Sequence, residues 1–193
     1  KVALRQVSLH SEIVKGNVTA AVIDFGHVVS VAIVIRSALL WVATDGWHGL
    51  PIVVAAFVIG SLVLLLVSQY RVQLFKRTNK SGDCLQQAII DGNLAVGIRY
   101  AGFLIGSALA ITAATGIAPY VADNINASLL YWAINAVVSL LVFIILHLVT
   151  IKIILSGCDI SDEVNRQKNV GVAAISAALS FAVGITMATL LGA

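Results

Sequence analysis

Long apolar runs alternate with short polar segments along the chain, and the alternation has a regular spacing. Asn17, Asn93 and Asn169 each close a polar lead-in and open a run of small and apolar residues more than twenty positions long. The three asparagines are spaced at equal intervals of 76 residues. Between them lie two further apolar runs. A stretch of about 20 apolar residues crosses roughly 30 Å of hydrocarbon as a helix. The pattern therefore predicts five transmembrane helices, over about 17–43, 50–75, 92–116, 127–155 and 169–191. The expected fold is all-α: a polytopic transmembrane helical bundle of five spans, built from a tandem two-helix repeat. The units would be 1–76, 77–155 and a half unit, 156–193. The 76-residue register lays the segment after the second span over residues 1–16, which leads us to expect a further helix before Lys1.

Composition agrees with this class. The chain of 193 residues is 60% hydrophobic and only 11% charged, where soluble domains carry about 25% charged residues. Barrel strands would alternate apolar and polar positions, whereas these runs are continuously apolar. The net charge of +3 does not point to nucleic acid, because the basic residues gather at helix ends. Lys1, Arg5 and Lys15, then Lys76, Arg77 and Lys80, then Lys152, Arg166 and Lys168 flank one end of the spans. The loops 44–49 and 117–126 contain no Lys or Arg. Lys and Arg are enriched on the cytoplasmic side. The expected N-terminal linker is thus cytoplasmic and the C-terminus periplasmic or extracellular. Trp41, Trp47, Tyr120, Tyr131 and Trp132 would form the outer aromatic belt. Cys84 and Cys158 fall in the cytoplasmic linkers and read as free thiols.

The repeated lead-in has a physical use. An Asn at the head of a helix accepts a hydrogen bond from a backbone N–H two or three residues on. Gly16, Asn17, Gly92, Asn93 and Asn169 are thus a helix-start motif, or else the asparagines line a cytoplasmic mouth. Small residues also align in the register: Gly26 with Gly102 and Ala178, then Ser30 with Gly106 and Ala182. Helices in lipid associate through close backbone approach at small residues. These six positions are therefore predicted to pack the first, third and fifth spans together. The second and fourth, richer in aliphatic bulk, would face lipid.

These same residues carry a resemblance. A polar lead-in, Gly16-Asn17 or Gly92-Asn93, and the small-residue helix that follows resemble the bacterial family catalogued as domain of unknown function (DUF) 350. Lys168-Asn169 departs from the pattern, as does Ser176-Ala177-Ala178 where glycine is usual. The resemblance covers nearly the whole chain. It implies a bacterial inner-membrane protein of paired helices and supplies no activity.

Ionisable residues within the spans are the remaining candidates, since charge at membrane depth is costly and marks function by default. Asp24 lies seven residues into the first span, about 10 Å deep at 1.5 Å per residue. Arg99 lies at a similar depth in the third. With His27, Arg71 and His147 they form an expected intramembrane polar layer. Besides a docking site for a partner subunit, two readings follow. Asp24 pairs with Arg99 across packed helices while Arg71 reaches lipid phosphates, or Asp24 and His27 belong to an ion, proton or solute path. Arg36 is expected to reach outward, and Asn135 to bond between helices. The sequence contains no HExxH, Walker, GxSxG or CxxC motif. Asp159, Asp162 and Glu163 lack EF-hand spacing. No enzyme activity, metal or cofactor is expected. The expected role is a close-packed structural or accessory subunit in the lipid bilayer, as a homo-oligomer or beside other membrane subunits. The alternative is a channel or transporter using the polar layer around Asp24 and Arg99.

Overall fold

The computed structural model describes residues 8–78 and 84–191, with the side chains of Thr44 and Asp45 excepted. Lys1, Arg5, Lys80 and Asp83 lie outside the described residues. Five long helices carry the fold: α2 (Val18–Trp41), α3 (Leu50–Thr78), α5 (Leu94–Ile117), α6 (Ile125–Ile154) and α8 (Val170–Leu191). All five are long and apolar enough to cross a membrane. The 29 residues of α3 and 30 of α6 give rods of about 45 Å at 1.5 Å per residue. They outrun the hydrocarbon and bring Lys76, Arg77 and Lys152 into the polar zone.

The polar lead-ins are not plain linkers. Each holds a six-residue helix: α1 (Leu9–Val14), α4 (Leu85–Ile90) and α7 (Ile160–Asn165). Apolar residues three or four apart give each one an inward face. Leu85, Ala88 and Ile89 are buried in α4, and Val164 in α7.

The first two short helices end in the same way, while at the third Asn169 N–H reaches one residue further back, to Glu163 O at 2.9 Å. Gly16 and Gly92 adopt φ of 84° and 68°. The following Asn17 N–H donates to Glu12 O, and Asn93 N–H to Ala88 O, both at 3.0 Å. This is the six-to-one closure of a Schellman cap, which favours glycine in the left-handed conformation. The same asparagine then caps the next helix. Ala20 N–H donates to Asn17 Oδ1 at 3.1 Å, Val96 N–H to Asn93 Oδ1 at 3.3 Å, and Val172 N–H to Asn169 Oδ1 at 3.2 Å. At the third junction Lys168 takes the left-handed position with φ of 54°.

The central helix is α5. Of its most apolar stretch 78% is buried, against 28–39% in the other four. Helices α2 and α8 run along two of its faces, with α6 and α3 on a third. The contacts with α2 and α8 are backbone-close. A Cβ placed on Gly26 would stand 2.6 Å from Ala101 Cβ. One on Gly102 would collide with Ala177, and one on Gly106 would stand 2.5 Å from Ser180 O. Gly184 meets the Gly106 backbone in return.

Here the structure corrects the aligned small-residue stripe. Gly26, Ser30, Gly102 and Gly106 are buried, but Ala178 and Ala182 are exposed. The α8 residues at these contacts are Ala177, Ser180 and Gly184. Gly26 and Gly102 each meet a residue 75 positions ahead, and Gly106 one 74 ahead, on a different face of the next helix. Ala178 and Ala182 have no such next helix among the described residues. The even spans are also not set apart by exposure, since α2 and α8 are as open as α3 and α6.

The aromatic belt divides. Trp47 and Tyr131 are exposed, but Trp132 is fully buried and Trp41 nearly so. Trp41 Nε1 donates to Ala118 O at 2.7 Å, and its ring meets Tyr120 edge-on and Trp132 at 5.9 Å. These two indoles pack the interior of one end of the bundle.

Candidate functional site

The Gly-Asn motif does more than start helices. Asn17 Nδ2 donates to Ile89 O in α4, 72 residues on, at 2.7 Å. Asn93 Nδ2 donates to Val164 O and Asn165 O in α7, both at 3.1 Å. Each asparagine thus caps its own helix with its oxygen and ties the next short helix with its nitrogen. Asn93 is 2% exposed, so its amide is fully committed to protein. Asn169 differs, because its amide turns to Glu163 Oε2 at 2.9 Å in its own lead-in. In α1, Glu12 receives Lys15 Nζ at 2.7 Å and Asn17 Nδ2 at 3.4 Å. The Lys15 hydrogen bond, helped by that of Asn17, holds the Glu12 carboxyl below its usual range against the opposing effect of burial.

The five intramembrane polar residues separate into three places. Asp24 is exposed, and no ion pair joins it to Arg99 among the described residues. The expected Asp24–Arg99 pair is therefore corrected. The two residues share a depth, but Asp24 points away from the α2 face of Thr19, Ile23, Gly26 and Ser30 that meets α5. His27 is half-buried, its ring 5.9 Å from that of Tyr100. Asn135 is likewise corrected, since its Nδ2 donates to Tyr131 O within its own helix at 2.9 Å.

Arg71, Arg99 and His147 gather on the side of α5 covered by α3 and α6. The Phe103 ring links Arg71 and His147. Arg71 Cζ lies 4.7 Å over its centroid, and the His147 ring meets its edge at 5.1 Å. His147 is 3% exposed, stacks on Phe143 at 5.8 Å and has Nδ1 3.3 Å from Ser180 Oγ. The Tyr100 hydroxyl lies beside that of Ser68 without a well-aligned hydrogen bond. Arg71 and Arg99 line one cavity of about 70 Å³ beneath α4 and α7, with Thr78, Tyr100, Ser161 and Asn165 on its walls. The Nε atom of each is buried and lacks a hydrogen-bond partner. No ion pair reaches either arginine among the described residues. Sequence reading missed Ser161 and Asn165 because it treated their segment as a linker. Their spacing of four on a short amphipathic helix is the signal that places them together.

A second cavity, of about 510 Å³, opens at the opposite end between α2, α5 and α8, lined by Arg36, Trp41, Thr112, Thr115 and Tyr120. Buried Phe103, Leu104, Ser107 and Ala108 of α5 occupy the level between the two cavities. Cys84 and Cys158 are free and exposed. Asp159 caps α7 by accepting from Asp162 N–H at 3.1 Å, and Asp162 holds Arg166 through two contacts of 2.6 and 2.8 Å. No group of three or more metal-ligating side chains occurs among the described residues.

Five apolar spans, four of them packed around a glycine-rich central helix, define a multi-pass helical membrane protein. The chain belongs to the family described as Domain of Unknown Function (DUF350), which matches residues 45–191. No curated protein matches it. No solved structure does so either.

Proposed function

We propose that this chain is a close-packed structural subunit of a bacterial inner membrane that assembles with further copies of itself. The observation that supports this reading is a face of α8 that no helix covers among the described residues. Gly171, Ala174, Ala178 and Ala182 are all exposed. The positions 76 residues earlier, on α5, are Ala95, Ile98, Gly102 and Gly106, and three of these four are buried. Those on α2 include buried Thr19, Gly26 and Ser30. In lipid such a surface gains from close van der Waals contact with another helix. Asn169, whose amide is turned back to Glu163, marks the same open side at the helix start. A contact between two different faces of a unit continues outward until a ring closes or a partner caps it.

The interior chemistry favours packing over conduction. The polar layer that a channel or transporter would use is divided, since Asp24 is exposed and stands apart from the cavity lined by Arg71 and Arg99.

The test is the mass of the full chain extracted in native-lipid particles, wild type against Ala178→Trp. We expect wild type to form a complex of defined copy number and the variant to fall to smaller species. A wild-type monomer would overturn the reading. A complex made only with a different polypeptide would replace self-assembly with an accessory role.

A further inference from the structure

We propose that Arg71 and Arg99 form a binding site for a phosphate-type oxyanion at the Lys/Arg-rich end of the bundle. Two half-buried arginines lining one cavity, each with a buried Nε that lacks a partner and with no carboxylate paired to either among the described residues, are an incomplete electrostatic unit. Buried charge is retained where it is paired and hydrogen-bonded. Both guanidiniums are drawn into one cavity rather than turned away to separate surfaces, although like charges repel. An anion between them converts that repulsion into two attractions.

The walls suit an oxyanion. Arginine presents several N–H donors in a planar fork that matches phosphate oxygens. Arg71 is steadied from behind by Phe103 at 4.7 Å, which fixes its plane. Asn165, Ser161 and Thr78 lie on the same lining, but the Ser161 hydroxyl donates to Thr78 O and that of Thr78 to Leu74 O, both at 2.9 Å, so the arginines are the donors on which the anion depends. Asn165 itself is fixed: its Nδ2 donates to Ser161 Oγ at 3.1 Å, and its carbonyl receives Asn93. The cavity of about 70 Å³ is several times the roughly 10–15 Å³ that one water needs. It admits a single tetrahedral anion. It lies under the short helices α4 and α7, at the level where phospholipid head groups and soluble phosphates both reach. Phosphate is the shared chemistry, and a lipid head group or a free phosphate is its source.

The experiment uses the full chain, stripped of lipid in a maltoside detergent, with thermal unfolding as the readout. One arm titrates sodium phosphate against sodium chloride of equal ionic strength. The other titrates dioctanoyl phosphatidylglycerol against dioctanoylglycerol, which lacks the phosphate. A ligand that binds only the folded state raises its unfolding temperature in a saturable way, by several degrees at a hundredfold excess over Kd. We expect that rise in at least one arm. A response to inorganic phosphate identifies a soluble oxyanion, and a response confined to the phosphatidylglycerol arm identifies a lipid head group. Arg71→Gln and Arg99→Gln should each weaken the response roughly tenfold or more, the scale of a lost hydrogen bond to a charged group. Arg36→Gln, at the other end, should respond as wild type does. Asn165→Asp guards against variants that fail to fold. It places a carboxylate on the cavity wall, so it should raise the ligand-free unfolding temperature and abolish the response. No saturable rise in either arm would overturn the proposal. So would a full response in the arginine variants or in Asn165→Asp. Loss of self-assembly in Ala178→Trp leaves this readout untouched, so the two readings stand or fall separately.

Discussion

At Gly92 the chain turns out of α4 and enters α5 within two residues, and that economy depends on a φ of 68°. Only glycine takes this conformation without a Cβ clash. A side chain there costs about 1–2 kcal/mol. Gly92→Ala should therefore lower stability by about that amount, with no steric contribution, since nothing lies within 4 Å of the Cβ it would carry. The third junction supplies the converse. Lys168 holds a φ of 54° where its counterparts are glycine, so Lys168→Gly should raise stability by about 1 kcal/mol. Chemical or thermal unfolding of the two variants in detergent measures both signs. Asn93 would be far less forgiving. Its oxygen caps α5 and its nitrogen serves two carbonyls of α7, so removing the amide leaves several buried groups without partners.

Helix packing here is decided by whether two backbones can touch. Overpacking by even one carbon costs about 1–3 kcal/mol where the neighbours cannot retreat. At Gly102 the obstruction is the Ala177 backbone and Cβ. Gly102→Ala should cost about that much, and Gly102→Leu should separate α5 from α8. Ala178→Leu, one helical position from the buried Ala177, should change the unfolding temperature of the isolated chain little, because exposed sites shift stability by about 0.5 kcal/mol or less. Circular dichroism melts of the three variants test this contrast. The contrast also explains what the sequence could and could not disclose. Apolar runs of twenty or more residues announce α2, α3, α5, α6 and α8 whatever surrounds them. The six-residue helices α1, α4 and α7 bury only one to three residues each, too little signal against polar surroundings. Aligning Ala178 with Gly26 and Gly102 finds an equivalent position, not an equivalent contact, because contact also needs a neighbour on that side. Asp24 and Arg99 failed to pair for a related reason. Position along a span fixes depth but not direction around the helix. Arg71 and Arg99 were visible as charges in apolar runs, while the cavity they share depends on α7, which was not.

For the whole molecule the distribution of charge is the strongest directional feature. Of the 12 Lys and Arg residues, Arg36 alone lies near the loops 44–49 and 117–126. The eight others among the described residues fall at or near the opposite end, with the lead-ins and the ends of α3 and α6. Lys and Arg near span ends set orientation because they resist translocation. An excess this one-sided gives every span the same instruction, with no loop in conflict. The expected arrangement keeps α1, α4 and α7 on the cytoplasmic face and Trp47 outside. The native thiols make a direct test. Cys84 precedes α4 and Cys158 precedes α7, and both are exposed. A membrane-impermeant maleimide applied to intact cells should label neither, and should label both once the membrane is opened. Trp47, 85% exposed in the turn between α2 and α3, supplies the opposite reporter. In a background lacking the two native thiols, Trp47→Cys should be labelled in intact cells. Labelling of Cys84 or Cys158 before permeabilisation, with Trp47→Cys protected, would invert the orientation. The arginine cavity would then open to the outside, and its anion would be sought there.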